Sequence, residues 1–184
     1  MALPSTIYRA GIQLSHIDRN LYESLQTTIA QHPSETPERL VARLLAYAIC
    51  FDPGLAFTKG VGAGDEPDLW VMGPDGRVVT WIEVGLPDHE RLVKASRHSG
   101  RVILIACGPS LSRWVEQNLA KLADIPNLTV FGLDQVLLSR LAARLRRSIT
   151  WSLTITEGSL YLGVDGETLE GSITLLSGEP ANSP

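Results

Sequence analysis

The feature that most constrains the fold is an unbroken apolar run at residues 102–107 (VILIAC), between two segments of helical character. A strand that is apolar on both faces must be buried on both, as happens in a parallel sheet covered by helices. Residues 88–99 and 112–122 predict those helices, and residues 128–133 predict a second buried strand. Strands and helices in alternation predict βαβ units in an α/β core.

Capping and turn residues predict the other core elements. Thr36 can cap a helix over residues 37–50 that begins with proline, and Asp134 can cap a helix that continues to residue 147. Residues 67–72 and 77–84 predict a hairpin around a turn at 73–76. The polar stretch after His16 and the glycine-rich segment 53–64 predict no regular structure.

Both ends of the chain have the alternating pattern of half-buried strands, at residues 6–16 and 149–176. Glu157-Gly158 and Asp165-Gly166 predict tight turns in a C-terminal meander. We expect one domain, in which an α/β core of residues 30–148 is flanked by a small antiparallel β-layer from residues 5–16 and 149–176. The polar tail from Ser177 is expected to fray.

Composition excludes several functional classes. The 184 residues are 44% hydrophobic and 20% charged, which is typical of a globular protein, and the net charge of −4 gives no overall attraction for nucleic acid. A nucleic-acid partner would need a local basic patch. Cys50 and Cys107 are expected to be reduced thiols, and no apolar window is long enough to span a membrane. We predict a cytoplasmic protein with no membrane partner.

Acidic residues cluster around the predicted hairpin. If the turn occupies residues 73–76, paired residue numbers sum to 149, and Asp68 and Glu83 become diagonal neighbours on one face. Two such carboxylates can share Mg²⁺ or Mn²⁺, since no thiolate or imidazole joins them. The alternative is that Glu83, in the apolar context VVTWIEVG, forms a structural ion pair with an Arg or Lys of a covering helix.

The segments HPSETPER, DEPDLW and WIEVGLPD resemble the bacterial YaeQ family, and the likeness extends along essentially the whole chain. That family is similar to a variant of the PD-(D/E)XK nuclease superfold, whose core is a helix, three strands, a helix and a further strand. The resemblance implies that Glu38 (or Glu35) is the carboxylate of the first helix, that Pro67-Asp68 is the PD element, and that Glu83 is the acidic residue of the (D/E)XK element.

One position departs from that pattern, because Gly85 occupies the place of the superfold's lysine. Lys94 in the next predicted helix is a candidate substitute. Arg91, His98 and Arg101 share its stripe, and Arg140, Arg144 and Arg147 form another. Arg91, Arg97, Arg101 and Arg144 are candidate phosphate ligands. The alternative is that these cations belong to solvated helix faces or complement a helix dipole.

Two functions follow from these expectations. The first is a divalent-metal-dependent phosphodiesterase acting on nucleic acid, in which Asp68 and Glu83 hold Mg²⁺ or Mn²⁺, Glu38 assists, and Lys94 orients the attacking water. The second is a non-catalytic module of the same fold that binds protein or nucleic acid. Retention of both carboxylates favours the enzyme, and the glycine at position 85 favours the module.

Overall fold

The computed structural model describes residues 4–59 and 64–180, which form two compact units of mixed α/β structure. The first unit contains residues 4–49 and 134–173, and the second contains residues 50–59, 64–133 and 174–180. The first and fourth helices lie in the first unit with the terminal strands, and not in the α/β core where they were expected.

The described residues form ten strands and four α-helices. The strands are β1 (Thr6–His16), β2 (Leu21–Gln31), β3 (Leu55–Phe57), β4 (Leu69–Met72), β5 (Val78–Val84), β6 (Ser99–Ala106), β7 (Leu128–Leu133), β8 (Ser148–Thr156), β9 (Ser159–Val164) and β10 (Glu167–Ser177). The helices are α1 (Pro37–Ile49), α2 (His89–His98), α3 (Leu111–Leu122) and α4 (Gln135–Ala142).

In the first unit the strand order is β2-β1-β8-β9-β10. The expected pairing of the N-terminal strand with the meander is confirmed, but β1 runs parallel to β8, so this sheet is not wholly antiparallel. The strand β2 was not predicted. It pairs with β1 along its whole length. Only Leu25 and Ile29 of β2 are buried, and Glu23 and Thr27 interrupt the apolar face, so the strand lacks an alternating pattern.

The two tight turns of the meander have the backbone that their sequences predict. Glu157 and Gly158 have φ values of 48° and 78°, and Asp165 and Gly166 have values of 50° and 82°. Two successive residues with positive φ are typical of a type I′ turn, which matches the twist of the flanking strands. The predicted meander is therefore confirmed.

The helices of the first unit begin where predicted, but one of them ends early. Thr36 Oγ1 accepts a hydrogen bond from Arg39 N at 3.2 Å, and Asp134 caps α4. α4 ends at Ala142, so the expectation of a helix to residue 147 was wrong. The chain after α4 leads into the β1–β8 pairing instead, because Arg147 O accepts a hydrogen bond from Arg9 N at 2.9 Å. The predicted stripe of Arg140, Arg144 and Arg147 on one helix therefore does not form.

The second unit contains the parallel strands and two of the helices of the predicted α/β core. Its strand order is β7-β6-β5-β4-β3; β5, β6 and β7 are mutually parallel, and α2 and α3 connect them. Val102 and Leu104 are fully buried on β6, which confirms the strand that the apolar run predicted. β3 lies inside the segment expected to be a loop and pairs with β4, while Gly60 and Gly62 of that segment lie outside the described residues.

The β4–β5 hairpin has a different register from the one expected. Gly73 N donates to Arg77 O at 2.8 Å, which moves the pairing by one residue, and a bulge between Val71 and Met72 moves it by another. Paired numbers along most of β4 therefore sum to 151, as in Trp70 with Trp81, and not to 149. A register shift of one residue moves the side chains of a strand to the opposite face of the sheet. Two such shifts therefore return the side chains of β4 to the face on which they were expected.

The C-terminal segment remains attached beyond the point where fraying was expected. Residues 174–177 of β10 lie next to β7, and Thr129 Oγ1 donates to Glu179 O at 2.7 Å. Residues 181–184 lie outside the described part. Cys50 and Cys107 are thiols rather than a disulfide, as expected. None of the described helices has both the length and the apolar character that crossing a membrane requires.

Candidate functional site

Asp68 lies just before β4 and is held against the end of β5. Its backbone N donates to Ile82 O at 3.0 Å, and its Oδ2 accepts a hydrogen bond from Val84 N at 2.8 Å. One further step of the hairpin register sets Asp68 opposite Glu83. The two residues are 3% and 5% exposed, so the hairpin brings two buried carboxylates close together.

Glu83 uses one of its carboxylate oxygens for all of its hydrogen bonds. Oε1 accepts from Trp81 Nε1 at 2.8 Å and from Arg91 Nε at 2.8 Å, and Arg91 Nη2 lies 2.8 Å from the same atom. Oε2 accepts no hydrogen bond from any residue of the described part. One oxygen therefore fixes the orientation of the side chain, and the other retains its capacity to bind a ligand.

The electrostatic environment of Glu83 disfavours its charged form. Removal from water is the main cause that raises its pKa, and the charge of Asp68 raises it further. The bonds from Arg91 and Trp81 act in the opposite direction without reversing the shift. The raised pKa means that the surroundings of Glu83 penalise its negative charge, and a bound cation would offset that penalty.

Arg91 connects α2 to the carboxylates and to the segment that precedes β4. Asp88 caps α2 by accepting from Arg91 N, which fixes the first turn. The guanidinium also donates to Gly64 O and Glu66 O, each at 2.8 Å. The ion pair expected as the alternative for Glu83 is thus present, and Arg91, expected only to bind phosphate, makes it. A buried Glu beside an Arg-bearing helix was the signal for this contact.

Lys94 lies one turn further along α2, and its amine contacts a different carboxylate. Nζ lies 2.6 Å from Asp65 Oδ1, and the two side chains are 64% and 86% exposed. The hydrogen bond from Lys94 is the main cause that lowers the pKa of Asp65. The expected stripe stops at His98, because α2 ends there and Arg101 lies on β6; Arg97 is exposed.

The glycine at the position of the superfold's lysine has a conformation that a lysine would not readily adopt. Gly85 has φ of +119°, and its N donates to Ile105 O at 3.0 Å. Residues with a Cβ rarely adopt this region of backbone space. The backbone at the end of β5 therefore favours glycine at position 85, where the resemblance implies a lysine.

A cavity of about 240 Å³ lies beside the carboxylates in the second unit. Its walls include Asp65, Trp81, Arg91, Lys94, Ala95 and His98. The last four of these recur at helical spacing along one face of α2. Trp81 and Arg91 both line the cavity and bond Glu83, so these two side chains connect the cavity to that carboxylate.

The other predicted site residues belong to the first unit. Glu38 is half-buried in the first turn of α1, and its carboxylate makes no hydrogen bond within the described ranges. Glu35, the alternative to Glu38, is buried and bonded to Arg39 and Arg43. Arg144 lies beyond α4 and pairs with Glu167 at 2.7 Å. The structure brings together Asp68, Glu83 and Arg91, all of the second unit.

The residues described include no group of three or more His, Cys, Asp or Glu side chains that could hold a metal ion. Carboxylates offer the oxygen ligands that Mg²⁺ and Mn²⁺ prefer, and Mg²⁺ is usually bound by only one or two of them, with water or phosphate completing its coordination. Asp68 and Glu83 therefore fit such an ion in number and in donor type.

Comparison with known proteins identifies the family. The family model described as "YaeQ protein" matches residues 1–173. The uncharacterized protein YaeQ of Escherichia coli (strain K12) is 38% identical over 175 residues, which are 95% of this chain and 97% of the relative. The uncharacterized protein YaeQ of Salmonella typhi has the same identity and coverage.

Two solved structures have the same fold. The crystal structure of YaeQ protein from Pseudomonas syringae is 40% identical with a TM-score of 0.91, and it covers 97% of this chain and 99% of that one. The crystal structure of YaeQ protein from Xanthomonas axonopodis pv. citri is 33% identical with a TM-score of 0.91 and covers 95% and 99%. The chain belongs to the YaeQ family.

Proposed function

We propose that this protein is a divalent-metal-dependent phosphodiesterase of the PD-(D/E)XK type that acts on nucleic acid. The observation that carries the proposal is the unequal use of the Glu83 oxygens, because Oε1 is anchored by Trp81 and Arg91 while Oε2 accepts no hydrogen bond from the described residues. A second buried carboxylate, Asp68, lies beside it and raises its pKa. Two adjacent buried carboxylates suit a divalent cation, because they offer the oxygen ligands that Mg²⁺ and Mn²⁺ prefer.

The order of elements supports the same proposal. α1, β3, β4, β5, α2 and β6 follow one another along the chain as a helix, three strands, a helix and a strand. This is the order that the resemblance to the PD-(D/E)XK superfold implies. Asp68, just before β4, and Glu83, in β5, are the residues to which the resemblance assigns the acidic roles.

In the proposed mechanism, Asp68 and Glu83 would hold Mg²⁺ or Mn²⁺, and the ion would supply a water of lowered pKa and offset charge developing on the phosphate. Arg91 keeps Glu83 oriented. Lys94 exchanges Asp65 for the attacking water and orients it, which its long stem and exposed position permit.

Calorimetric titration of Mn²⁺ and Mg²⁺ tests the metal site. Asp68→Asn keeps the size of the side chain and removes its charge, so it should abolish the heat of binding seen with the wild type. Asp124→Asn, at an exposed position outside the strands and helices, is the matched control and should bind like the wild type. Absence of binding by the wild type at millimolar metal would refute the proposal.

Cleavage of labelled DNA and RNA with Mn²⁺ tests the reaction itself. Activity should require metal and be lost in Asp68→Asn and in Glu83→Gln, while Asp124→Asn should retain it. Chelation by EDTA should stop cleavage, and added Mn²⁺ should restore it. Activity that persists in Asp68→Asn would exclude this carboxylate pair as the active site.

A specific observation favours a second candidate, a non-catalytic module that binds protein or nucleic acid. Arg91 already neutralises part of the Glu83 charge, and Gly85 has a backbone that a lysine would strain. For this candidate the carboxylates are structural, and metal would not change the protein. Absence of Mn²⁺ binding, together with no cleavage of any tested substrate, would leave the module as the better account.

A further inference from the structure

The cavity beside Glu83 has apolar walls whose charged groups are already paired. The indole of Trp81 and the methyl group of Ala95 contribute apolar surface, and the aliphatic stems of Arg91 and Lys94 add more. Arg91 pairs with Glu83, and Lys94 pairs with Asp65. Because positive and negative groups balance at this wall, the cavity offers no net attraction for a phosphate and favours a flat, largely apolar group.

The size of the cavity restricts what it can hold. Its volume of about 240 Å³ lies below the roughly 300–1,000 Å³ of pockets that enclose drug-sized ligands. A single ring system fits this volume, whereas a stacked base pair does not. Trp81 is fixed by the 2.8 Å bond from its Nε1 to Glu83, so its ring forms a rigid wall that loses little entropy when a ligand binds.

The position of the cavity relates it to the proposed metal site. Trp81 donates to Glu83 Oε1 and also lines the cavity, so a nucleotide whose phosphate approaches Glu83 would present its base to this indole. Aromatic side chains commonly bind unpaired bases by stacking, and this recognition tolerates different sequences because every base has a π-face.

We infer that this cavity binds one unpaired nucleobase of the substrate, which makes that substrate single-stranded nucleic acid or a frayed strand end. The inference rests on the proposed function, because it assigns the substrate class of the same site. A duplex keeps its bases paired and would not present one to the cavity. Base binding needs no metal, so it can be measured separately from the metal site.

Binding of adenosine 5′-monophosphate without metal tests the cavity, with ribose 5-phosphate as the probe that lacks the base. We expect the nucleotide to bind and to shift the indole N–H resonance of Trp81, and ribose 5-phosphate to bind at least tenfold more weakly. Equal binding of the two probes, or a nucleotide that leaves the Trp81 signal unchanged, would overturn the inference.

Ala95→Leu fills the cavity from its α2 wall and should weaken nucleotide binding at least tenfold. Ala123→Leu adds the same side chain at an exposed position after α3 and should bind like the wild type. If Ala95→Leu does not fold, Ala95→Ser with a titration of the Trp81 signal provides a milder test. Unchanged affinity in a folded Ala95→Leu variant would overturn the assignment.

A comparison of oligonucleotides tests the substrate class directly. A single-stranded DNA should bind more tightly than the blunt duplex that contains it, and equal affinity would refute the inference. The metal titration and the nucleotide titration test the two proposals independently. Nucleotide binding without metal binding would refute the phosphodiesterase and retain the cavity, and metal binding without nucleotide binding would do the reverse.

Discussion

Each unit buries a glutamate that pairs with arginine, and the two glutamates differ in how their oxygens are used. Glu35 in the first unit has both oxygens occupied, since Oε1 accepts from Arg39 and Arg43, and Oε2 accepts from Arg43 and from His32 N. Glu83 in the second unit has all of its bonds on Oε1. A carboxylate with both oxygens bonded is a structural element, whereas one with an available oxygen beside a second acid is a candidate binding site.

The neighbours of the two glutamates strengthen this distinction. Arg43 is 2% exposed and also donates to Ala30 O, so its pair with Glu35 ties α1 to β2. The Arg91 side chain is 32% exposed, and a second carboxylate, Asp68, opposes the charge of Glu83. Burial of an acid is therefore a poor guide to function unless the use of each oxygen is also known.

The largest expected effect comes from removing the buried arginine of the first unit. Arg43→Met should lower the free energy of unfolding by about 3–5 kcal/mol, because it removes the buried one of the two arginines that pair with buried Glu35. Arg91→Met should cost less, about 2 kcal/mol, since the Arg91 side chain is 32% exposed and its contact with Glu83 is less deeply buried. Urea denaturation at neutral pH measures both.

The comparison fails if these two variants lose equal stability. A loss in Arg91→Met as large as that in Arg43→Met would make Glu83 as structural as Glu35 and would favour the non-catalytic module. Arg97→Met, on the exposed part of α2, is the matched control and should change the stability by less than about 0.5 kcal/mol.

The second prediction concerns Gly85, two residues after Glu83. Gly85→Lys restores the residue that the nuclease pattern has there, yet it should destabilise the protein by about 1–3 kcal/mol because a side chain must then adopt a positive φ. Gly85→Ala should cost nearly as much, which separates backbone strain from the charge of lysine. Thermal denaturation measures both variants. A stable, more active Gly85→Lys would show that the missing lysine has no conformational cause.

Local patterns predicted much of the fold, and the failures have physical causes. The run at residues 102–107 and the turns Glu157-Gly158 and Asp165-Gly166 are local signals, and their elements form as expected. β2 was missed because polar residues interrupt its apolar face. The predicted hairpin register was wrong because the bulge and the turn closure each shift the pairing by one residue. No local sequence pattern predicted either shift.

The candidate site was predictable in its acids and only partly in its cations. Glu83 was recognisable as a charge within an apolar strand, and Asp68 by the resemblance. Which cation contacts Glu83 depends on where α2 begins and how it crosses β5, which local patterns do not determine. The structure gives that contact to Arg91 and gives Lys94 to Asp65.

The third prediction uses a buried group without a compensating bond. His16 is 9% exposed, its Nδ1 has no hydrogen-bond partner among the described residues, and burial, with the charge of Arg19, lowers its pKa from 6.5. The folded state then binds a proton less readily than the unfolded state. The destabilising effect of His16 is absent above the pKa that its imidazole has in the unfolded state. Stability falls as pH decreases from about 6.5 towards the lower pKa of His16 in the folded state.

Urea denaturation between pH 7.5 and pH 5 measures this effect in the wild type and in His16→Gln. The variant should have a flatter dependence of stability on pH in that range. His89→Gln, at the first residue of α2, is the matched control and should keep the wild-type slope. Identical slopes for wild type and His16→Gln would exclude His16 as the group responsible.

The smallest effect on stability is expected at Lys94. The Lys94–Asp65 pair is exposed on both sides, and such pairs contribute about 0–1 kcal/mol, so Lys94→Ala should leave the free energy of unfolding almost unchanged. Cleavage with Mn²⁺ should nevertheless fall steeply, by at least about tenfold, if the amine orients the attacking water. Arg97→Ala, on the same helix, should mainly weaken substrate binding. Full cleavage by a folded Lys94→Ala variant would remove Lys94 from the mechanism and leave its contact with Asp65 as a surface ion pair.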